Sequence, residues 1–172
     1  MKAMSYHEFP LFRNLTDEQI DDFVAHCEKV TIPADEVFIQ QNTPGMKLYF
    51  FLEGEMNVFL SDDEEDEEHV VAHLEAPVVV GELEFLSGQP RTASVRTLTP
   101  AQGLKIPFDR FMEQLENGES ASLRVFFNIT KVLACRLEAM DRKFVELERQ
   151  APGARFDELK SFQQQLMNEW TF

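Results

Sequence analysis

The chain is expected to fold as an α+β domain, with short strands packed as a sandwich or barrel, helices before them and a long helix after them. Three observations predict this. Between Val30 and Ile106, β-branched and aromatic runs alternate with turn residues. On both flanks the apolar spacing switches to three and four, which is helical. A length of 172 residues with 44% hydrophobic content and 16 Phe supports one substantial core rich in aromatic packing.

The elements follow in order. Thr16-Asp17-Glu18-Gln19 has the capping-box pattern, and Ile20, Phe23, Val24 and Cys27 give a helical face behind it. Strands are expected at Val37–Ile39, Leu48–Leu52, Met56–Leu60, His69–Leu74, Val78–Val80, Ser94–Thr97 and Leu104–Ile106. After Pro107, Asp109 is placed to cap a short helix that ends near Asn117-Gly118, and residues 119–149 read as one long helix. In that helix Leu123, Phe126, Thr130, Leu133, Leu137, Met140, Phe144 and Leu147 recur at spacings of three and four. This is the a/d seam of a coiled coil and predicts a homodimer; a helix lying on its own domain needs a wider stripe. Ala151-Pro152-Gly153 breaks it, and Phe156, Leu159, Phe162, Leu166 and Trp170 mark a final amphipathic helix. The expected organisation is therefore a domain over 1–149 and a helical extension over 150–172.

The most informative segment is Gly81-Glu82-Leu83-Glu84-Phe85-Leu86-Ser87-Gly88-Gln89-Pro90-Arg91-Thr92-Ala93. A glycine lets the backbone turn out of a strand, and a short helix after it aims unpaired N–H groups at an anion. Glu82, an acceptor when ionised, suits a sugar hydroxyl, and the planar fork of Arg91 suits two phosphate oxygens. An ordinary surface turn whose Glu and Arg pair with each other would use the same residues. The segment resembles the phosphate-binding cassette of the cyclic-nucleotide-binding domain family. The glycine-framed run Gly45–Phe59, with Gly54 at its turn, and the opening segment Pro10–Cys27 are similar to that family too, so the resemblance spans about residues 8–149.

The resemblance implies a jelly-roll-like antiparallel β-barrel. It implies a cyclic nucleotide, cAMP or cGMP, held by Gly81, Glu82, Leu83, Glu84, Arg91, Thr92 and Ala93, under the long helix that often pairs two subunits. Base contacts would fall on Thr130, Met140 or Asp141, although Met140-Asp141 stand where bacterial members carry hydroxyl residues. Two residues depart from the pattern. Lys47 stands where many members have an acid. Glu84 stands where the family usually has Ala, Ser or Gly. Facing the phosphate, its carboxylate would repel the ligand by about 1 kcal/mol if solvated and up to about 4 if partly buried; pointing outward, it would be screened.

Charge narrows the partners. The net charge of −15, from 16 basic and 31 acidic residues, lacks the footprint of a nucleic-acid binder. Removing the seven charges of Asp62–Glu68 from that total still leaves −8, and the run reads as a solvated hairpin tip or a dock for a basic partner. Cys27 and Cys135 form no spaced motif and read as buried reduced thiols. Neither a signal-peptide segment nor a membrane-spanning stretch is evident, which predicts a cytoplasmic protein without membrane association. His69 and His73 share one side of a strand but have no third metal ligand, and no catalytic constellation is recognisable, so an enzyme is not expected. Two functions fit. One is a stand-alone sensor that binds a cyclic nucleotide and signals through its C-terminal helices, without a DNA-reading motif. The other is a degenerate member that binds no nucleotide and works as a dimeric protein-interaction module.

Overall fold

The computed structural model describes residues 6, 9–62 and 67–150. A 3-10 turn at Pro10–Phe12 leads into α1 (Asp17–Ala25), and eight strands follow: β1 (Glu28–Ile32), β2 (Val37–Ile39), β3 (Lys47–Glu53), β4 (Glu55–Asp62), β5 (Glu67–Glu75), β6 (Val78–Val80), β7 (Ser94–Thr97) and β8 (Ala101–Pro107). A short helix α2 (Glu82–Ser87) separates β6 from β7, and α3 (Phe108–Glu116) and α4 (Ser120–Gln150) complete the described chain. The strands form two antiparallel four-stranded sheets, ordered β1-β8-β3-β6 and β2-β7-β4-β5. They make a jelly-roll-like sandwich, not a barrel closed by hydrogen bonds. The contacts divide the chain into two compact units, Met1–Thr130 and Lys131–Phe172.

Strand alternation sorts the core into two layers. Ile32, Ile39, Phe51, Met56, Val80, Val95 and Ala101 form the buried core of the sandwich. The neighbouring Phe50 on β3 points the other way and meets Phe9, Phe12 and Phe23, with ring centroids 5.7 to 6.5 Å apart. Phe23 and Phe85 both meet Phe111, at 5.8 and 5.3 Å, so one aromatic cluster joins α1, α2, α3 and β3. Six of the 16 Phe meet in that cluster, which makes aromatic packing the bond between helices and sheet. Asn128 fastens the start of α4 to this layer by donating to the carbonyls of Leu11 and Arg13 at 2.7 and 3.0 Å.

Most local expectations hold. The Thr16 cap accepts from the Gln19 N–H while the Gln19 side chain accepts from the Thr16 N–H, a complete capping box. Gln19 also donates to Ser120 Oγ, tying α1 to the first turn of α4. The acidic run begins at the end of β4, and Asp62 pairs across the hairpin with Glu67 on β5. Three details differ. α1 ends at Ala25, so Cys27 lies beyond it, because β1 begins at Glu28. That first strand escapes notice because its opening residues, Glu28 and Lys29, are exposed and charged. Asp109 is not the cap of α3: Pro107 holds that position, and the Asp109 carboxylate accepts from the N–H of Arg110 inside the first turn.

The cysteines are both free, but only Cys27 is partly buried and Cys135 is exposed. Burial pushes the Cys27 thiol up to about 12, the positive charge of Arg110 offsetting only part of the effect, so it stays protonated. The break at Ala151 and the terminal amphipathic helix lie outside the described residues.

Candidate functional site

The cassette is built where β6 ends. Gly81 adopts φ 87°, a left-handed conformation open to glycine, and this turns the chain from β6 straight into α2. A side chain there is excluded a second time, since a Cβ would collide with the guanidinium of Arg91. α2 is only six residues long and stops at Gly88, φ 69°, whose N–H bonds the Glu84 carbonyl at 2.9 Å.

Arg91 returns to this turn from the far end of the loop. Its backbone is clamped by the 42–44 segment: its N–H donates to Thr43 O, its carbonyl accepts from Asn42 N–H, and Pro90 bridges Pro44. Its side chain is 5% exposed and runs beneath α2, donating to Gly81 O at 3.1 Å and to Lys47 O at 2.6 Å. Gly45 permits this route. A Cβ on Gly45 would stand 2.7 Å from the Glu84 Cβ and 3.2 Å from Arg91 Nε.

Glu84 is the decisive residue. It is 6% exposed, so it neither points into water nor lies across from Arg91 as an unpaired charge. Its Oε2 accepts from Arg91 Nη1 at 3.0 Å, and its Oε1 accepts from both the backbone N–H and the hydroxyl of Thr92, each at 2.9 Å. The anticipated repulsion between Glu84 and a ligand phosphate is therefore only half of its role, because the carboxylate itself occupies the donors anticipated for that phosphate. Nor is this the anticipated surface pair. The partner of Arg91 is Glu84, and both are buried.

Burial is the largest influence on the Glu84 carboxyl and pushes it up. The hydrogen bonds from the Thr92 N–H, its own backbone N–H, the Thr92 hydroxyl and Arg91 together outweigh burial and hold it below the usual carboxylate range. A folded-state value below the unfolded one means stability that is present above the unfolded pKa of about 4.3 and is lost as pH falls through the folded value. Lowering the pH from 5 to 3 should therefore reduce the thermal midpoint more steeply in the wild type than in Glu84→Gln. Parallel pH profiles for the two proteins would contradict this.

The remaining expected site residues distribute as follows. Glu82, 4% exposed, sits at the start of α2, while Leu83 is exposed and Ala93 half-buried. Arg91 lines one side of an adjoining cleft of about 280 Å³, with Val37, Phe38, Ile39 and Tyr49 among its walls. Phe38 lies edge-on to Tyr49 at 5.3 Å within that cleft. Thr130, read as a base contact, donates its hydroxyl to the Phe127 carbonyl of its own helix at 2.8 Å. Asp141 is exposed on α4, and the side chain of Met140 lies outside the described residues. The roles of the Lys47 carbonyl and the 42–45 segment were not legible in the sequence; the only signal was Gly45, whose missing Cβ marks a close approach.

Among the described residues no group of three His, Cys, Asp or Glu could hold a metal ion. His73 instead meets Asn57 Oδ1 at 3.2 Å and Glu55 at 3.6 Å, both exposed. Among the described residues, too, no helix is long and apolar enough to cross a membrane.

A jelly-roll sandwich with a glycine turn, a short helix and a returning buried arginine defines a class of regulatory ligand-binding domain. The chain belongs to the cyclic nucleotide-binding domain family, whose model matches residues 29–117. It is 27% identical over 129 residues to the cAMP-activated global transcriptional regulator CRP of Salmonella typhimurium, covering 74% of this chain and 59% of that protein. It is 29% identical to the potassium channel AKT2 of Oryza sativa, across 86% of this chain and 17% of the channel. Among solved structures, a cyclic nucleotide-binding domain from Methylobacillus flagellatus superposes with a TM-score of 0.70 at 21% identity, covering 83% of this chain and 78% of that one. The chain thus spans less than two thirds of the length of the CRP relative.

Proposed function

We propose that this chain is a regulatory sensor of a cyclic nucleoside monophosphate, acting in the cytoplasm rather than as an enzyme. The single observation that carries this is the placement of Arg91: buried, aimed by two backbone carbonyls, and open on one side to a cleft with aromatic walls. The cyclic phosphate would take Arg91, Thr92 and the backbone of Gly81, Leu83, Glu84 and Ala93, and the ribose hydroxyl would take Glu82. Thr130, Met140 and Asp141 remain the positions for base contact. The response would pass along α4, provided that one of its positions binds the ligand better than the other. Titration calorimetry of the wild type and of Glu84→Ala with cAMP and cGMP tests the reading; heat of binding in either protein supports it, and no binding by both at millimolar ligand removes it.

One observation favours a second reading, a nucleotide-free interaction module: Glu84 already satisfies Arg91. Both readings share a homodimer through the 119–149 helix, which the exposure of the seam residues Leu123 and Leu137 supports. Glu at Leu133 and Leu137 together should place like charges at such a contact and give a monomer in light scattering. A wild-type protein that is itself monomeric at high micromolar concentration contradicts the dimer.

A further inference from the structure

We infer that the Glu84 carboxylate is a built-in surrogate for the ligand's phosphate, an autoinhibitory contact that any anionic ligand must displace. The inference deepens the sensor reading and rests on it for the identity of the competing ligand. Its own basis is the set of contacts around one side chain.

A cyclic phosphodiester carries one negative charge shared by two non-bridging oxygens. A carboxylate carries the same charge on the same number of oxygens. In this chain Oε2 of Glu84 takes the Arg91 guanidinium at 3.0 Å and Oε1 takes both donors of Thr92 at 2.9 Å. These bonds are charge-assisted, the one from Arg91 buried and the two from Thr92 part-buried, and bonds of this kind hold an anion firmly. The remaining donors of Arg91 that the structure places go to Gly81 O and Lys47 O, so its guanidinium is held in place without a ligand. A phosphate brought to the same donors meets a like charge within contact distance, and both cannot stay.

The arrangement is local and complete. Glu84 reaches the site from the third position of α2, and Gly45, lacking a Cβ, leaves room for the Glu84 stem beside Arg91. With Ala at 84 the Arg91 guanidinium would keep Gly81 O and Lys47 O but lose its anion, and the two Thr92 donors would open beside it, a place charged for an oxyanion.

The test uses the full chain as wild type, Glu84→Ala, Glu84→Gln and the double variant Glu84→Ala/Arg91→Ala. Thermal melts are compared in sodium chloride and sodium phosphate at equal ionic strength, and cAMP is titrated by calorimetry. Phosphate should leave the wild-type midpoint unchanged relative to chloride, raise that of Glu84→Ala by about 2 °C or more, and leave the double variant unmoved. Glu84→Ala should bind cAMP at least tenfold more tightly than the wild type. Glu84→Gln keeps the size but loses the charge that seats the side chain on Arg91, so it should shift in the same direction by less. If Glu84→Ala folds only when phosphate is present, that too supports the surrogate. Neither variant at 84 responding to phosphate beyond chloride, or a wild type binding cAMP as tightly as Glu84→Ala, overturns it. Phosphate stabilisation of Glu84→Ala with no cAMP binding by any variant would keep the surrogate and remove the sensor reading.

Discussion

Arg91→Ala is expected to destabilise the ligand-free domain by about 3 to 5 kcal/mol, the scale for removing one partner of a buried ion pair. The loss arises because three acceptors lose their donor together. The carbonyls of Gly81 and Lys47 and the carboxylate of Glu84 all take hydrogen bonds from this side chain. Glu84 retains Thr92, but with the cation gone its charge stays buried and only partly matched. Chemical denaturation measures the effect directly. Replacing both residues, as Glu84→Leu/Arg91→Met, should recover much of the loss, since an apolar pair of similar size removes the charge along with its partner. Equal stability of Arg91→Ala and wild type would show that the pair contributes nothing to the fold. An Arg91→Ala defect in nucleotide binding must accordingly be separated from the loss of fold before it is assigned to ligand contact.

Gly103→Ala should be similarly damaging, by about 3 kcal/mol, for a reason of space rather than conformation. Gly103 lies in the middle of β8, paired with Val30 of β1 on one side and Phe51 of β3 on the other. A Cβ on it would collide with the Phe50 carbonyl and stand 2.8 Å from Phe51 Cα, and both obstacles are backbone. The ladder shifts register between Phe51 and Glu53, and this irregularity brings the two chains close beside the glycine. Gly88→Ala provides the contrast. Nothing lies within 4 Å of a Cβ there, so only its φ of 69° opposes the change, and about 1 to 2 kcal/mol is expected. Denaturation midpoints of the two variants should therefore separate clearly; equal losses would place the cost of Gly103→Ala elsewhere.

The two variants probe different parts of the same framework. Gly103 lets β8 sit tightly between β1 and β3, whose outer face carries Phe50 into the helical aromatic cluster. That cluster includes Phe85 of α2, the element that carries Glu84. Packing of the sheet therefore positions the short helix, and the helix positions the carboxylate. A long, buried side chain reaching a fixed guanidinium needs such support, because a small displacement of α2 would open the contact.

The sequence by itself determined what depends on near neighbours. The capping box at Thr16 and Gln19 is complete within four residues, and strand runs such as Val78–Val80 announce themselves through β-branched side chains bounded by turns. Gly81 could be read as a turn residue because its conformation is a property of its own backbone. The partners of Glu84 were not legible in that way. Whether its carboxylate faced solvent, repelled a ligand or joined Arg91 depended on where a loop returned and how deeply α2 lay, and spacing along the chain encodes neither. The exposed beginning of β1 and the clamp formed by the 42–45 segment were hidden for the same reason: pairing to β8 and to the Arg91 backbone joins residues distant in sequence. Only the tertiary structure brought a carboxylate and a guanidinium seven positions apart into a buried pocket at 3.0 Å, where their mutual attraction and the hydrogen bonds of Thr92 outweigh the cost of leaving water.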